Sequence, residues 1–162
     1  MILAKLCDLD TRAIDFVLAF PQADLEIPVY MEIPVGMTIG NDPDARKQYV
    51  LKLKKSLYGL KNASANWHQF LKKGLELRGF TESKADCCVF IKTDMIVLVY
   101  VDDCILISKG ANLITNFITS LENGPEKYKF TDEGDMEHYL GVEITKSADG
   151  SSFTLSQPFL IG

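Results

Sequence analysis

Leu98 to Ser108 reads LVYVDDCILIS, two adjacent aspartates, Asp102 and Asp103, set between apolar, largely β-branched runs. An ionised carboxylate is costly to bury unpaired, so the pair needs either solvent at a tight turn or a bound cation. Hairpin turns are rich in Asp, and Asp102 and Asp103 by themselves leave both readings open. On either one the neighbourhood is a set of strands. Cys87 to Lys92 and Met95 to Tyr100 read as strands separated by Thr93 and Asp94, and Cys104 to Ser108 returns after the aspartates. Three strands in succession imply an antiparallel meander.

Outward from this meander the pattern alternates between strand and helix. Asp8 to Phe20 reads as a strand and a tight turn, because Ile14, Phe16, Val17 and Leu18 favour extended backbone and Pro21 stops its continuation. Val29 to Ile33 and Tyr49 to Lys54 alternate as short strands around a loop, Pro34 to Asp44. Asn62 is the expected N-cap of a helix reaching Arg78, with Trp67, Phe70, Leu71 and Leu75 on one face and Gly79 as its stop. Ala111 to Glu122 is a second helix, since Ile114, Phe117, Ile118 and Leu121 fall at i, i+3, i+4 and i+7 before Asn123 and Gly124. Tyr139 to Thr145 and Ser152 to Leu155 are expected to form a hairpin around Asp149 and Gly150. Strand, helix, two strands, helix, strand is a split βαββαβ order, an α+β arrangement of RRM or ferredoxin-like type.

With 162 residues, 47% of them hydrophobic, the chain suits one domain with an adequate core. It has no apolar run of the roughly 18 to 20 residues that a membrane span needs, and no signal-like start, so a soluble protein without a membrane partner is expected. Cys7, Cys87, Cys88 and Cys104 lack C-x-x-C spacing and nearby histidines, and are expected to be buried reduced thiols rather than zinc or redox groups. The net charge of −5 argues against a nucleic-acid binder, but its distribution argues the other way. From Ala45 to Leu75 lie Arg46, Lys47, Lys52, Lys54, Lys55, Lys61, Lys72 and Lys73 without a single acid, a stretch able to neutralise phosphates or to serve as a solvated face. No Gly-rich phosphate loop or nucleophile elbow is present, which disfavours kinase, ATPase and hydrolase chemistry.

Three segments in order then carry a resemblance. They are LDTRAIDFVLAFPQADL, from Leu9 to Leu25; LKKSLYGLK, from Leu53 to Lys61; and the YVDD of Tyr100 to Asp103. Asp86, Cys88, Val89 and Phe90, then YLGVEI from Tyr139 and LSQ from Leu155, follow at their places. The chain resembles the reverse transcriptases of copia-type LTR retrotransposons from about residue 8 to Gln157. The resemblance implies a reverse-transcriptase palm with partial fingers, a core filling residues 1–162 of a Pol polyprotein fragment whose N-terminal fingers, connection and RNase H parts are absent. It implies Asp15, Asp102 and Asp103 as catalytic metal ligands for two Mg2+ ions, with Mn2+ able to substitute. Hard cations want oxygen ligands, and nucleotidyl transfer needs two of them.

By the same resemblance Phe20, Tyr58 and Gly59 serve the incoming dNTP, Phe20 by excluding a ribose 2′-hydroxyl. Lys54, Lys55 and Lys61 lie toward the template, and Tyr139, Leu140 and Gly141 form the primer grip. Lys127 and Lys129 lie near the family's pyrophosphate-protonating lysine. The implied partners are an RNA or DNA template with its primer, dNTPs, and the integrase and RNase H parts of the polyprotein. The implied location is a cytoplasmic virus-like particle, with nuclear entry of the product complex. Ser64 stands where the family usually has proline. The residues alone keep a plain reading beside each role: a core Phe at Phe20, a turn glycine at Gly59, surface lysines. A catalytically inactive, nucleic-acid-binding palm relic is the alternative for the whole chain.

Overall fold

Residues 4, 9–40, 45–135, 138–139, 142–147 and 152–157 are described by the structure, a computed structural model. The chain divides into one unit made of residues 1–19 and 71–162 and a second made of residues 20–70.

The first unit is built on a six-stranded antiparallel sheet. Its strands are β1 (Asp10–Phe16), β4 (Thr81–Glu82), β5 (Val89–Lys92), β6 (Met95–Tyr100), β7 (Asp103–Ser108) and β8 (Phe130–Gly134), ordered β4-β5-β6-β7-β1-β8. The meander read from the sequence is β5-β6-β7, and β1 pairs with β7 although about ninety residues separate them, Asp10 opposite Ser108 and Asp15 opposite Asp103. Alternation sorts the faces. Cys104 and Leu106 of β7 share a face with Ile14 and Phe16 of β1, and helix α4 (Ala111–Asn123) packs over β7 and β1, burying Ile114, Phe117, Ile118 and Leu121. The other face of β7 carries Ile105 and Ile107, buried with Ala4 under Leu9 and Val142. Burial on both sides is why this strand reads as an unbroken apolar run.

The second unit holds α1 (Ala19–Gln22, of which Ala19 belongs to the first unit), the ribbon β2 (Tyr30–Glu32) and β3 (Val50–Lys52), α2 (Ala45–Gln48), and the start of helix α3 (Ala63–Leu77). Trp67 of α3 is buried there, as are Ala23 and Ile33. The later turns of α3 belong to the first unit, where Leu71 and Leu75 are buried. Gly74 allows a close approach: a Cβ at this position would lie 2.0 Å from the Tyr128 hydroxyl. Past the helix end, Gly79 takes φ +83°, the left-handed stop expected of it. Arg78 then ties α3 to α4. It donates to the Gly74 carbonyl (2.6 Å), the Ser120 carbonyl (2.6 Å) and hydroxyl (3.1 Å), and the Glu126 carboxylate (2.9 Å).

Two expectations change. The fourth strand beside β1 is β8, Phe130–Gly134, which the sequence reading passed over. Its candidate, Tyr139 to Thr145, lies instead in a separate sheet of β9 (His138–Tyr139), β10 (Val142–Lys146) and β11 (Phe153–Ser156), ordered β11-β10-β9. The β10–β11 pairing matches the expected hairpin; its turn, Asp149 and Gly150, lies outside the described residues. The thiols also differ from expectation: Cys104 is buried, but Cys87 is exposed and Cys88 half-buried, because β5 starts only at Val89. Among the described residues no helix is long and apolar enough to cross a membrane.

Candidate active site

The β6–β7 hairpin closes on the pair Tyr100 and Asp103, leaving Val101 and Asp102 as its two turn residues. Register then sets a row across four strands, Tyr100 of β6, Asp103 of β7, Asp15 of β1 and Thr131 of β8. Asp15 and Asp103 therefore sit side by side on the face away from α4. Asp102 is held at the tip. Its backbone carbonyl accepts from Phe16 N (2.8 Å) and its side-chain Oδ1 from Ala19 N (3.3 Å). For Ala19 to reach it, the chain leaves β1 sharply: Val17 N donates to the Lys129 carbonyl (2.9 Å) and Leu18 takes φ +52°. Val101 takes φ +55°, a region that β-branched residues avoid. Extended backbone expected at Val17 and Leu18 gives way to this turn.

Like charge collects here. Asp15 is held above the ordinary carboxylate range by burial first, then by Glu133, Asp102 and Asp103; burial and Asp102 do the same to Asp103. Glu133 had no signal in the sequence. It enters because β8 slips register against β1 between Ala13 and Ile14, so Gly134 and Asp132, two positions apart, oppose consecutive residues and Glu133 falls between them. Among the described residues, the one trio of potential metal ligands with an atom of each within 4.8 Å of the others is Asp86, Cys87 and Cys88. Asp15, Asp102 and Asp103 do not form such a trio. A cavity of about 320 Å³ lies elsewhere in the first unit, lined by Phe80, Met95, Leu113 and Phe117 with Arg78 and Lys92, and holds none of these acids.

In the second unit two of the nucleotide-site candidates meet. The rings of Phe20 and Tyr58 lie 4.5 Å apart at 44°. A run of polar contacts stitches their segments: Ser56 N to the Ala23 carbonyl (3.0 Å), Lys55 Nζ to the Gln22 carbonyl (3.1 Å) and to Asp24 (2.8 Å), and Asn66 Nδ2 to the fully buried Ser56 Oγ (3.1 Å). Phe20 is half-buried rather than a core residue, and Tyr58 is exposed. Gly59 takes φ +93° with open space where a Cβ would stand. Lys54, Lys55 and Lys61 are exposed, and Lys55 also pairs with Asp24. Tyr139 is placed by its backbone, opposite Val142; Leu140 and Gly141 lie outside the described residues. Lys127 and Lys129 are both exposed, and Lys127 takes φ +51°.

Residues 3–160 match the family described as "Reverse transcriptase (RNA-dependent DNA polymerase)". The chain is 31% identical over 160 residues, 96% of its length, to the retrovirus-related Pol polyprotein from transposon TNT 1-94 of Nicotiana tabacum. It is 34% identical over 143 residues (86%) to that from transposon RE1 of Arabidopsis thaliana. Against the transposon Ty1-DR1 Gag-Pol polyprotein of Saccharomyces cerevisiae it is 35% identical over 136 residues (81%). The chain spans only 12%, 9% and 7% of the lengths of these three relatives. No solved structure matches it. The chain belongs to the reverse transcriptase (RNA-dependent DNA polymerase) family, in the branch found in the Pol polyproteins of copia-type transposons.

Proposed function

We propose that this chain is the palm, with partial fingers, of an RNA-directed DNA polymerase that joins a dNTP to a primer 3′-hydroxyl. The observation that carries the reading is Asp15 facing Asp103 across β1 and β7 with Asp102 in the turn between β6 and β7. The strand order β6-β7-β1-β8, with α3 lying between β1 and β6 in sequence and α4 between β7 and β8, supports a split βαββαβ palm for the first unit. Residues 20–70 are then the partial fingers, and residues 1–162 one reverse-transcriptase core.

The acids fit hard cations: their donors are all oxygen, and burial and their mutual repulsion, which raise Asp15 and Asp103, disfavour the ionised forms that a cation would stabilise. Two Mg2+ ions, with Mn2+ as substitute, supply activation of the 3′-hydroxyl and charge neutralisation at the triphosphate when bound; Asp15 and Asp102 would hold them, with Asp103 alongside. The chain's own contribution is orientation. The Ala19 amide fixes the Asp102 carboxylate, and β-pairing fixes Asp15 against Asp103. The Phe20 and Tyr58 pair with Gly59 is assigned to the dNTP, Lys54, Lys55 and Lys61 to the template, and Tyr139, Leu140 and Gly141 to the primer. RNA or DNA template, primer and the integrase and RNase H parts of the polyprotein are its partners, within a cytoplasmic virus-like particle.

The test is Mg2+-dependent dNTP incorporation on primed poly(rA). The wild-type chain should incorporate, and Asp15→Asn and Asp102→Asn should each lose about a hundredfold or more. Incorporation that survives either change overturns the metal assignment. A folded wild-type chain that binds primed template without incorporating points to the inactive relic.

A further inference from the structure

The sequence Ala85 to Cys88, ADCC, lies before β5, which begins at Val89. Val89 N donates to the Asp86 carbonyl at 3.2 Å, closing a four-residue turn with Cys87 and Cys88 at its two central positions. The Cys88 amide also donates to Asp86 Oδ1 at 2.8 Å, which fixes the carboxylate beside the turn. In a strand, neighbouring side chains point to opposite faces, and two adjacent thiols could not share a ligand. The turn gathers them instead. A carboxylate oxygen of Asp86 and the sulfurs of Cys87 and Cys88 all lie within 4.8 Å of one another. Asp86 and Cys87 are exposed and Cys88 is half-buried, so the trio is open to solvent.

We propose that Asp86, Cys87 and Cys88 form a binding site for a thiophilic divalent cation of the Zn2+ and Cd2+ class. Burial, with Cys87 and Asp86 beside it, pushes the Cys88 thiol up to about 11, so the ion binds as the thiol protons pass to solvent. The resulting thiolates select such ions over Mg2+, which keeps to oxygen, so this site and the aspartates of the catalytic face do not compete for one metal. Tetrahedral zinc with sulfur at about 2.3 Å and oxygen at about 2.0–2.2 Å sets its donors somewhat under 4 Å apart, within reach of side-chain rotation from the spacing present. Three protein donors leave a fourth position to water, the mark of an exchangeable site rather than a closed structural one. The site also has a neighbour that gives it consequence. The Cys88 carbonyl accepts from Val99 N at 2.9 Å, one residue before the Tyr100 that closes the aspartate hairpin. A bound ion therefore pins the entrance of β5 against β6 next to that hairpin, whether or not the chain polymerises DNA.

The experiment titrates the full reduced chain with Cd2+ alone, reading sulfur-to-cadmium charge-transfer absorption and the unfolding temperature, with Zn2+ as competitor. One Cd2+ per chain is expected, with a raised unfolding temperature. The band should vanish in Cys87→Ser and Cys88→Ser, bind about tenfold or more weakly in Asp86→Asn, and persist in Cys7→Ser. A peptide of residues 84–90 carries the same donors without the turn's support, and should bind about tenfold or more weakly than the chain. Absence of the band, its survival in Cys87→Ser, or equal affinity of chain and peptide overturns the site.

Discussion

Val101 carries a left-handed backbone with a branched side chain, and the cost of such a residue is of the order of 1–3 kcal/mol. The surrounding pairs over-determine it: Tyr100 against Asp103 on one side, and Phe16 N on the Asp102 carbonyl on the other. Val101→Gly removes the strain but adds freedom to the unfolded chain, worth up to about 1 kcal/mol. Urea unfolding should show a net gain of about 1 kcal/mol, together with a fall in dNTP incorporation as the tip loosens. The acids next to it follow the same logic. Asp15 is crowded by burial and by Glu133, Asp102 and Asp103, so its ionised form is disfavoured in the fold. A raised carboxyl contributes stability only at low pH, and that contribution is lost as pH rises through its folded value. At neutral pH in chelator, Asp15→Asn should therefore raise the unfolding temperature, while in Mg2+ it abolishes incorporation. The gain is small because the group keeps contact with water.

At the scale of elements, Arg78 and Glu126 join the ends of α3 and α4 with little exposure on either side chain. For Glu126, burial pushes upward, but the Arg78 hydrogen bond, its own backbone amide and the Arg78 charge together hold the carboxyl below the usual range. Its contribution to stability is thus present above the unfolded carboxylate value and is lost as pH falls through the lower folded one. Glu126→Gln should cost about 2–3 kcal/mol at pH 7, with the gap from wild type closing below about pH 4 in equilibrium unfolding. Elements also show what sequence could reveal. Helix α4 and the meander β5-β6-β7 were legible because their apolar periods persist over many residues. Strand β8 was not: in FTDEG only Phe130 is apolar, since an edge strand with four of its five residues polar or glycine need not alternate. Cys87 and Cys88 were hidden for the opposite reason, as apolar letters beside a strand that turned out to form a turn.

Across the whole molecule the acids and bases are segregated, and a net charge of −5 conceals a basic segment in residues 45–75. The three lysines assigned to the template are all exposed, and Lys55 also pairs with Asp24. Lys54→Gln with Lys61→Gln should weaken primed-template binding and lower the slope of log affinity against log salt by up to about 2. Binding and slope unchanged would remove these lysines from the interface. At this scale Asp15, Asp102 and Asp103 were singled out by the resemblance of their motifs, and strand register sets Asp15 against Asp103 with Asp102 in the adjoining turn. The Ala19 amide, Glu133 and the buried Ser56–Asn66 contact were not so marked, since each depends on a register or a distant partner that no local pattern encodes.

The pairing of β1 also sets a timetable for synthesis. Strand β1 lies between β7 and β8, whose last residues are Ser108 and Gly134. A ribosome adding about 5–20 residues per second has Asp15 in hand for roughly 5–20 seconds before Asp102 and Asp103 exist, and longer before β8 arrives to cover the far side of β1. Through that interval the strand has neither of its neighbours, and its closure must wait on a long-range search. The three acids become a set only after Asp103 has been translated, so a copy abandoned before that point carries Asp15 without its partners.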